Sequence, residues 1–258
     1  MKAMILAAGL GTRLRPFTSE RPKALATVAG RTLLERTLSR LRSFGVREVI
    51  VNAHHFAEQI VDYLEANGNF GMRIEVSREQ DLLDTGGGLK KAAWFFVEAG
   101  GDSAQPGNDP IDDPFLVHNV DVLSNIDLEG MMRFHAEHNA LATLAVQERE
   151  TSRCLLFDER GQLCGRRAGR DGKPELVRPA RQIQALGFSG VHVLSPRIFS
   201  LFQEEGAFSI IDAYLRMAAL GEGILAYRAD GCYWRDLGRP ENLLDATRDV
   251  ENGSYREG

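Results

Sequence analysis

The chain has 258 residues, 43% of them hydrophobic and 26% charged, with a formal net charge of −5. That is the composition of a soluble globular protein, long enough for one large α/β domain or two small ones. The acidic balance argues against a nucleic-acid-binding surface, and no apolar run is long enough to cross a bilayer, so neither nucleic acid nor a membrane is an expected partner.

The first predicted element is a strand over residues 3–8, which runs into LAAGLGTRLRPFTSERPKAL (residues 6–25). There Gly9 and Gly11 follow the strand end, and Arg13, Arg15, Arg21 and Lys23 follow them. A glycine turn after a strand lets backbone amides approach a phosphate, and the cluster of cations suits a small anionic substrate. Leu33, Leu34, Leu38, Leu41 and Phe44 then recur at helical spacing. A strand over 48–53 follows, then a helix through Phe56, Ile60, Val61 and Leu64, a strand over 72–77, and a helix over 89–99 that opens directly after Gly86, Gly87 and Gly88. Residues 99–114, rich in Gly, Pro and Asp, read as an exposed loop. A strand over 114–121 ends at Asp121.

This β-α-β-α order predicts an α/β fold, with a Rossmann-like, mostly parallel sheet flanked by helices in three α/β/α layers. Ligands of such sheets bind beyond the carboxyl ends of the strands, where Gly9, Gly86 and Asp121 converge. Shorter strands follow over 142–147, 154–158, 185–195 and 223–229, the last joined by Asp230-Gly231 to residues 232–237 as a hairpin. Helices are expected over 197–202, from Ser209, where Ser-Ile-Ile-Asp makes a capping box, and from Pro240. No repeat or linker divides the chain, so a single domain spans 1–258. Cys154, Cys164 and Cys232 form no CxxC pair, which points to a reducing, cytoplasmic setting rather than to disulfides or zinc.

Two glycine-loop readings fail. No G-x-x-x-x-G-K-[ST] occurs, and the dinucleotide fingerprint breaks at Leu14, with Asn52 where an acidic residue would hold a ribose. What distinguishes the loop is its positive charge. A triphosphate attacked at its α-phosphorus needs that charge on the pyrophosphate leaving group. The stretch "LAAGLGTRLRPFT" followed by "PKAL" resembles the opening motif of the sugar-1-phosphate nucleotidylyltransferases. The resemblance runs to about Ala246 through "DTGGG" (84–88), "VHNVD" (117–121), "GFSGVHVLSP" (187–196) and "YWRDLGRPENLLDA" (233–246). Val120 stands where that family usually has glycine.

The resemblance implies that an NTP, UTP or GTP, and a sugar 1-phosphate give an NDP-sugar and pyrophosphate. Mg²⁺ would assist in-line attack, held by Asp121 and Asp236. It implies a nucleotide-binding half over about 1–125 and a sugar-phosphate-binding half over about 126–250. Arg13 would grip the β- and γ-phosphates with Lys23, so Arg13, Lys23, Asp121 and Asp236 form the catalytic set. Leu6, Ala7, Ala8, Gly9, Gly11, Thr12, Glu79, Gly86 and Gly87 would complete the nucleotide site, while Arg15 could fix the loop rather than touch ligand. Asn119, Arg153, Ser189 and Gly190 would line the sugar-phosphate pocket.

For the two aspartates, other readings stand beside the metal. Asp127 is a competing acid, and Asp236 could instead pair with Arg235 or Arg239. The family's E-K-P triplet is missing, which leaves Arg166, Arg167, Lys173, Arg178 and Arg181 as alternative phosphate ligands. His54 and His55 diverge, His135 and His138 read as helix-surface residues, and Trp94 and Trp234 read as core. Two other functions fit the same loop. One is a cytidylyltransferase acting on a phosphocholine-like acceptor, which would need an aromatic cage. The other is a catalytically silent module that senses nucleotide sugars, which would not need all four catalytic residues. A homodimer is the default expectation for a soluble enzyme.

Overall fold

The computed structural model describes residues 1–97, 113–169 and 172–256. Most of the expected loop over 99–114 and the end of the helix over 89–99 lie outside those residues. In chain order the first half runs β1 (Lys2–Leu6), β2 (Thr27–Val28), β3 (Arg31–Thr32), α1 (Leu33–Ser43), β4 (Glu48–Ala53), α2 (Ala57–Ala66), β5 (Arg73–Arg78), α3 (Asp84–Lys91), α4 (Ala93–Val97), β6 (Phe115–Asn119) and β7 (Val122–Ser124). The second half adds α5 (Leu128–Glu137), β8 (Ala142–Gln147), β9 (Arg153–Phe157), β10 (Leu163–Ala168), β11 (Glu175–Leu176) and β12 (Gln184–Leu194). It closes with α6 (Ile198–Leu201), α7 (Ile210–Ala219), β13 (Ile224–Arg228), β14 (Trp234–Asp236) and α8 (Pro240–Glu251).

The central sheet runs in the order β11-β10-β9-β12-β6-β1-β4-β5, with β8 beside β12 and β13 beside β8. The strands β6, β1, β4 and β5 are parallel, as their helical crossovers require, while β12 joins β6, β8 and β9 antiparallel. Alternate side chains divide the core into two layers. Ala3, Ile5, Val49 and Val51 pack on one face with Leu34 and Leu38 of α1, Ile60 of α2 and Met131 of α5. Met4 and Ile50 point the other way, onto Leu89 of α3, Phe95 of α4 and Tyr214 of α7. The helices therefore lie on both faces, giving the expected α/β/α layers and leaving the strand ends at one edge as a floor for ligand.

Three local expectations are corrected. Gly86, Gly87 and Gly88 lie inside α3 rather than in a loop ahead of it. The hairpin at Asp230-Gly231 does not form. β13 pairs with β8, and β14 pairs with β7 instead. Gln147 draws the turn back toward β8, its amide donating to the carbonyls of Ala229 (2.7 Å) and Cys232 (2.9 Å). Of the capping box only the Ser209 half forms, its hydroxyl accepting from Ile211 N at 3.3 Å, because Asp212 is taken by Arg166.

Candidate active site

The first loop is anchored from below by a buried polar chain. Asn52 accepts from Ala7 N (2.7 Å) and donates to Glu79 Oε1 (2.7 Å), whose other oxygen accepts from Leu83 N (3.0 Å). These bonds tie the ends of β1, β4 and β5 to the start of α3. Glu79 is thus a buried member of this support. Above it the chain turns at Gly11, whose φ is +61°. A Cβ there would stand 2.9 Å from Thr18 Cγ2 and 3.2 Å from Lys23 Cβ, so glycine is required both by conformation and by space. At Gly9 an added Cβ meets nothing within 4 Å, so packing makes no such demand. A 3₁₀ turn over Thr12–Leu14 buries Leu14 and leaves Arg13 exposed.

The two aspartates meet through backbone pairing. In the β7–β14 ladder Asp236 lies opposite Val122, and Leu237 N donates to Asp121 O at 2.8 Å. The Lys23 ammonium, nearly buried, donates to Asp121 Oδ2. Asp236 Oδ1 accepts from Gly238 N at 2.6 Å. A Cβ on Gly238 would stand 2.6 Å from Arg13 Nη2 and 2.7 Å from Asp236 Oδ1, so the Arg13 guanidinium and that carboxylate converge on one point. The rival readings of the acids resolve at the same time. Asp127 caps α5, accepting from Gly130 N at 2.9 Å. Arg235 pairs with Asp245 and Asp249, and Arg239 lies nearest Glu241.

A cavity of about 990 Å³ opens above these groups. Arg13, Asp121 and Asp236 line it together with Asn119, Arg153, Ser189 and Gly190. Gly190 has φ +73°, and a Cβ there would press on Asn119 Nδ2 at 2.8 Å. Ser189 is buried with its hydroxyl unpartnered among the described residues, while its carbonyl accepts from Trp234 Nε1 at 2.8 Å. Of the five alternative cations only Arg166 and Arg167 line the cavity. Arg178 turns away to Gln162 and Asp158. Arg166 is held by Glu175 (2.7 Å) and by Asp212, whose hydrogen bonds raise its pKa further.

The sequence reading missed Arg149, just past the end of β8. Its guanidinium lies over the Trp234 ring at 3.8 Å and donates to Phe188 O at 2.6 Å. Burial pulls its pKa down, and the Asp236 carboxylate pulls the other way. Gly187 is the mark it leaves in the sequence, since a Cβ there would approach Arg149 Nε to 2.8 Å. Trp234 accordingly forms part of the cavity wall, not of a sealed core, and Trp94 is exposed.

The triple glycine also needs another account. The amides of Gly86 and Gly87 donate to Phe208 O (2.9 and 3.3 Å), so they are not the free donors that the sequence suggests. A Cβ on Gly86 would meet the Phe208 ring at 2.3 Å, and one on Gly87 would meet Gly206 O at 2.3 Å. Close packing of α3 against the segment before α7 explains both. His135, expected on a helix surface, is buried with Nδ1 3.0 Å from Thr143 Oγ1, whereas His138 is exposed. All three thiols are free. No group of three or more His, Cys, Asp or Glu that could hold a metal occurs among the described residues.

The family model described as nucleotidyl transferase matches residues 2–253. The chain is 34% identical over 257 residues to N-acetylmuramate alpha-1-phosphate uridylyltransferase of Caulobacter vibrioides, covering 95% of this chain and 94% of that protein. It is 28% identical over 249 residues to the mannose-1-phosphate guanylyltransferase catalytic subunit beta of Xenopus tropicalis, covering 95% of this chain and 63% of that protein. The fold matches crystalline HddC from Yersinia pseudotuberculosis complexed with GMP-PN, with a TM-score of 0.73 at 22% identity over 96% of this chain and 99% of that one.

Proposed function

The chain belongs to the nucleotidyl transferase family, as a sugar-1-phosphate nucleotidylyltransferase, and we propose that it moves a uridylyl group from UTP to a sugar 1-phosphate and releases pyrophosphate. The observation that carries this reading is the convergence of Arg13, Asp121 and Asp236 on one cavity through the β7–β14 ladder. UTP is the nucleotide to expect because the full-length relative from Caulobacter vibrioides is named a uridylyltransferase. The first half supplies Arg13, Asn119, Asp121 and Val122 to the cavity and the second supplies the rest of its lining, which supports a nucleotide half and an acceptor half. Three free thiols agree with a cytoplasmic enzyme.

The family works with a divalent metal, and we assign Mg²⁺. Two hard carboxylates facing a cavity wide enough for phosphates and water fit that ion. Asp121 and Asp236 would hold it, and when bound it neutralises charge shared by the two phosphates. The chain's own residues do the rest. Gly9 and Gly11 let the loop backbone lie against the triphosphate, and Arg13 takes up charge as the bond from the α-phosphorus to the bridging oxygen breaks. The sugar phosphate oxygen forms the new bond to the α-phosphorus from the opposite side, and pyrophosphate leaves. Lys23 keeps Asp121 oriented until the phosphates offer it a second partner.

The test is pyrophosphate release with Mg²⁺, crossing UTP, GTP, CTP, ATP and dTTP against sugar 1-phosphates, with Arg13→Ala as the control. Release from UTP that the control lacks is the expected result. Release from another nucleotide alone would overturn the choice of base, and release from none would overturn the reaction.

A further inference from the structure

The strand that carries Asp236 is braced by the last part of the chain. β7 and β14 are three residues each and form a sheet of their own, a ribbon too short to hold its place unaided. Side chains along β14 alternate between its faces. Trp234 and Asp236 line the cavity, while Tyr233 and Arg235 turn to α8, both donating to Asp249 Oδ2, at 2.6 and 2.7 Å.

Past α8 the chain reverses at Gly253, whose φ is +77°, and returns to the ribbon. Tyr255 N donates to Asp249 O at 2.9 Å, and the Tyr255 side chain is buried in the core below. Its ring centroid lies 5.0 Å from that of Tyr233, at the entry to β14. Its hydroxyl donates at 3.3 Å to the carbonyl of Ser124, the last residue of β7, which stands opposite Trp234 in the ladder. One side chain therefore touches both arms of the ribbon. Phenylalanine would fill the same space without needing an acceptor, and the acceptor that the hydroxyl finds belongs to the ribbon. Tyr255 also lies past residue 253, where the likeness to the nucleotidyl transferase family ends.

Resting on the uridylyl-transfer reading, in which Asp236 serves the reaction, we propose that Tyr255 is a positioning residue: wedged against both strands, it sets where Asp236 and Trp234 stand in the cavity. The first loop, where UTP binds on that reading, is built on β1 and braced by Asn52 and Glu79 instead. A shift of the ribbon misplaces the carboxylate and leaves the nucleotide loop as it was. The loss then falls on kcat and spares KM for UTP.

Tyr255→Leu and Tyr255→Phe are compared with the wild type and with Leu64→Ala, which opens the core beneath α2, away from β14. Pyrophosphate release is followed with UTP and N-acetylmuramate 1-phosphate, the acceptor in the name of the Caulobacter vibrioides relative, well below every thermal midpoint. A parallel set carries Trp94→Phe, which leaves Trp234 as the sole fluorophore of its kind. Tyr255→Leu should lower kcat about tenfold or more, keep KM for UTP within about threefold, and move Trp234 emission to longer wavelength as its bond to Ser189 O loosens. Tyr255→Phe loses only the bond to Ser124, so kcat should fall by about two- to fivefold, and it decides the matter alone if Tyr255→Leu does not fold. Leu64→Ala should lower the midpoint and change neither kcat nor emission. Unchanged kcat or unchanged emission in the Tyr255 variants, or an equal fall of kcat in Leu64→Ala, overturns the inference and leaves uridylyl transfer in place. No turnover by the wild type counts against uridylyl transfer to this acceptor, and Trp234 emission, which needs no substrate, then decides the placement by itself.

Discussion

Gly238→Ala separates the geometry of the site from the stability of the fold. The new Cβ would lie 2.6 Å from Arg13 Nη2 and 2.7 Å from Asp236 Oδ1, where ordinary contact begins at 3.4 Å. Each group must therefore retreat by about 0.8 Å, and misplacement of about 1 Å costs on the order of 10²-fold in rate, or about 2.7 kcal/mol. The fold feels little of this. Gly238 is not among the residues with positive φ, so alanine adopts its backbone without strain, and the displaced Arg13 is the far end of a flexible chain. Pyrophosphate release should fall about 10²-fold, while the thermal midpoint stays within about 2 °C. Activity within threefold of wild type would refute the argument. So would a fall of more than about 5 °C in midpoint, because lost folding would then account for the lost rate.

Gly87→Ala should show the opposite division. Its Cβ would meet the backbone oxygen of Gly206 at 2.3 Å, which no rotamer relieves, so the urea midpoint should correspond to a loss of about 1–3 kcal/mol. Asn52→Ala leaves Ala7 N–H and Glu79 Oε1 without their partner, and urea unfolding should report a loss of about 2 kcal/mol or more; a change below about 0.5 kcal/mol would mean that water replaces the amide. Three histidines set a pH dependence of stability. Burial holds His118 and His135 at about 4 and His192 at about 3, each below the ordinary 6.5. The unfolded chain therefore binds protons that the folded one refuses, so stability is fully present above about pH 6.5 and is lost as pH falls toward 4. The slope should reach about 4 kcal/mol per pH unit if all three act, and unfolding midpoints measured from pH 7 to 4.5 that stay level would exclude this origin.

Much of the fold is written locally. Residues 3–8, 48–53 and 114–121 are apolar runs of strand length, and the helices between them carry their own periodicity, so the parallel core is legible. The first loop is legible too, because Gly11 and the cations after it sit within a few residues of one another. What was misread depends on distant partners. Three consecutive glycines oppose helix formation by propensity, and only Phe208, Gly206 and the Asn52–Glu79 pair explain why α3 contains them. Asp230-Gly231 has the chemistry of a hairpin turn, yet Gln147 decides where the chain goes next. His135 could have been placed better, since it follows Met131 by four positions and Leu128 by seven, on the buried face of α5. Arg149 belongs to no motif, and its position becomes clear only once Trp234 lies beneath it.

The ladder between β7 and β14 also has a consequence for biosynthesis. Chains fold from their N-terminal end as they are made. When residue 122 has been translated the glycine loop, Arg13, Lys23 and Asp121 are all present, but the strand that delivers Asp236 belongs to the last elements to be synthesised. A ribosome-bound intermediate therefore has the first loop without the second carboxylate. On the proposed function, which needs both carboxylates, chemistry on nucleotide would wait until the closing strand docks, and an unfinished polypeptide would spend no triphosphate.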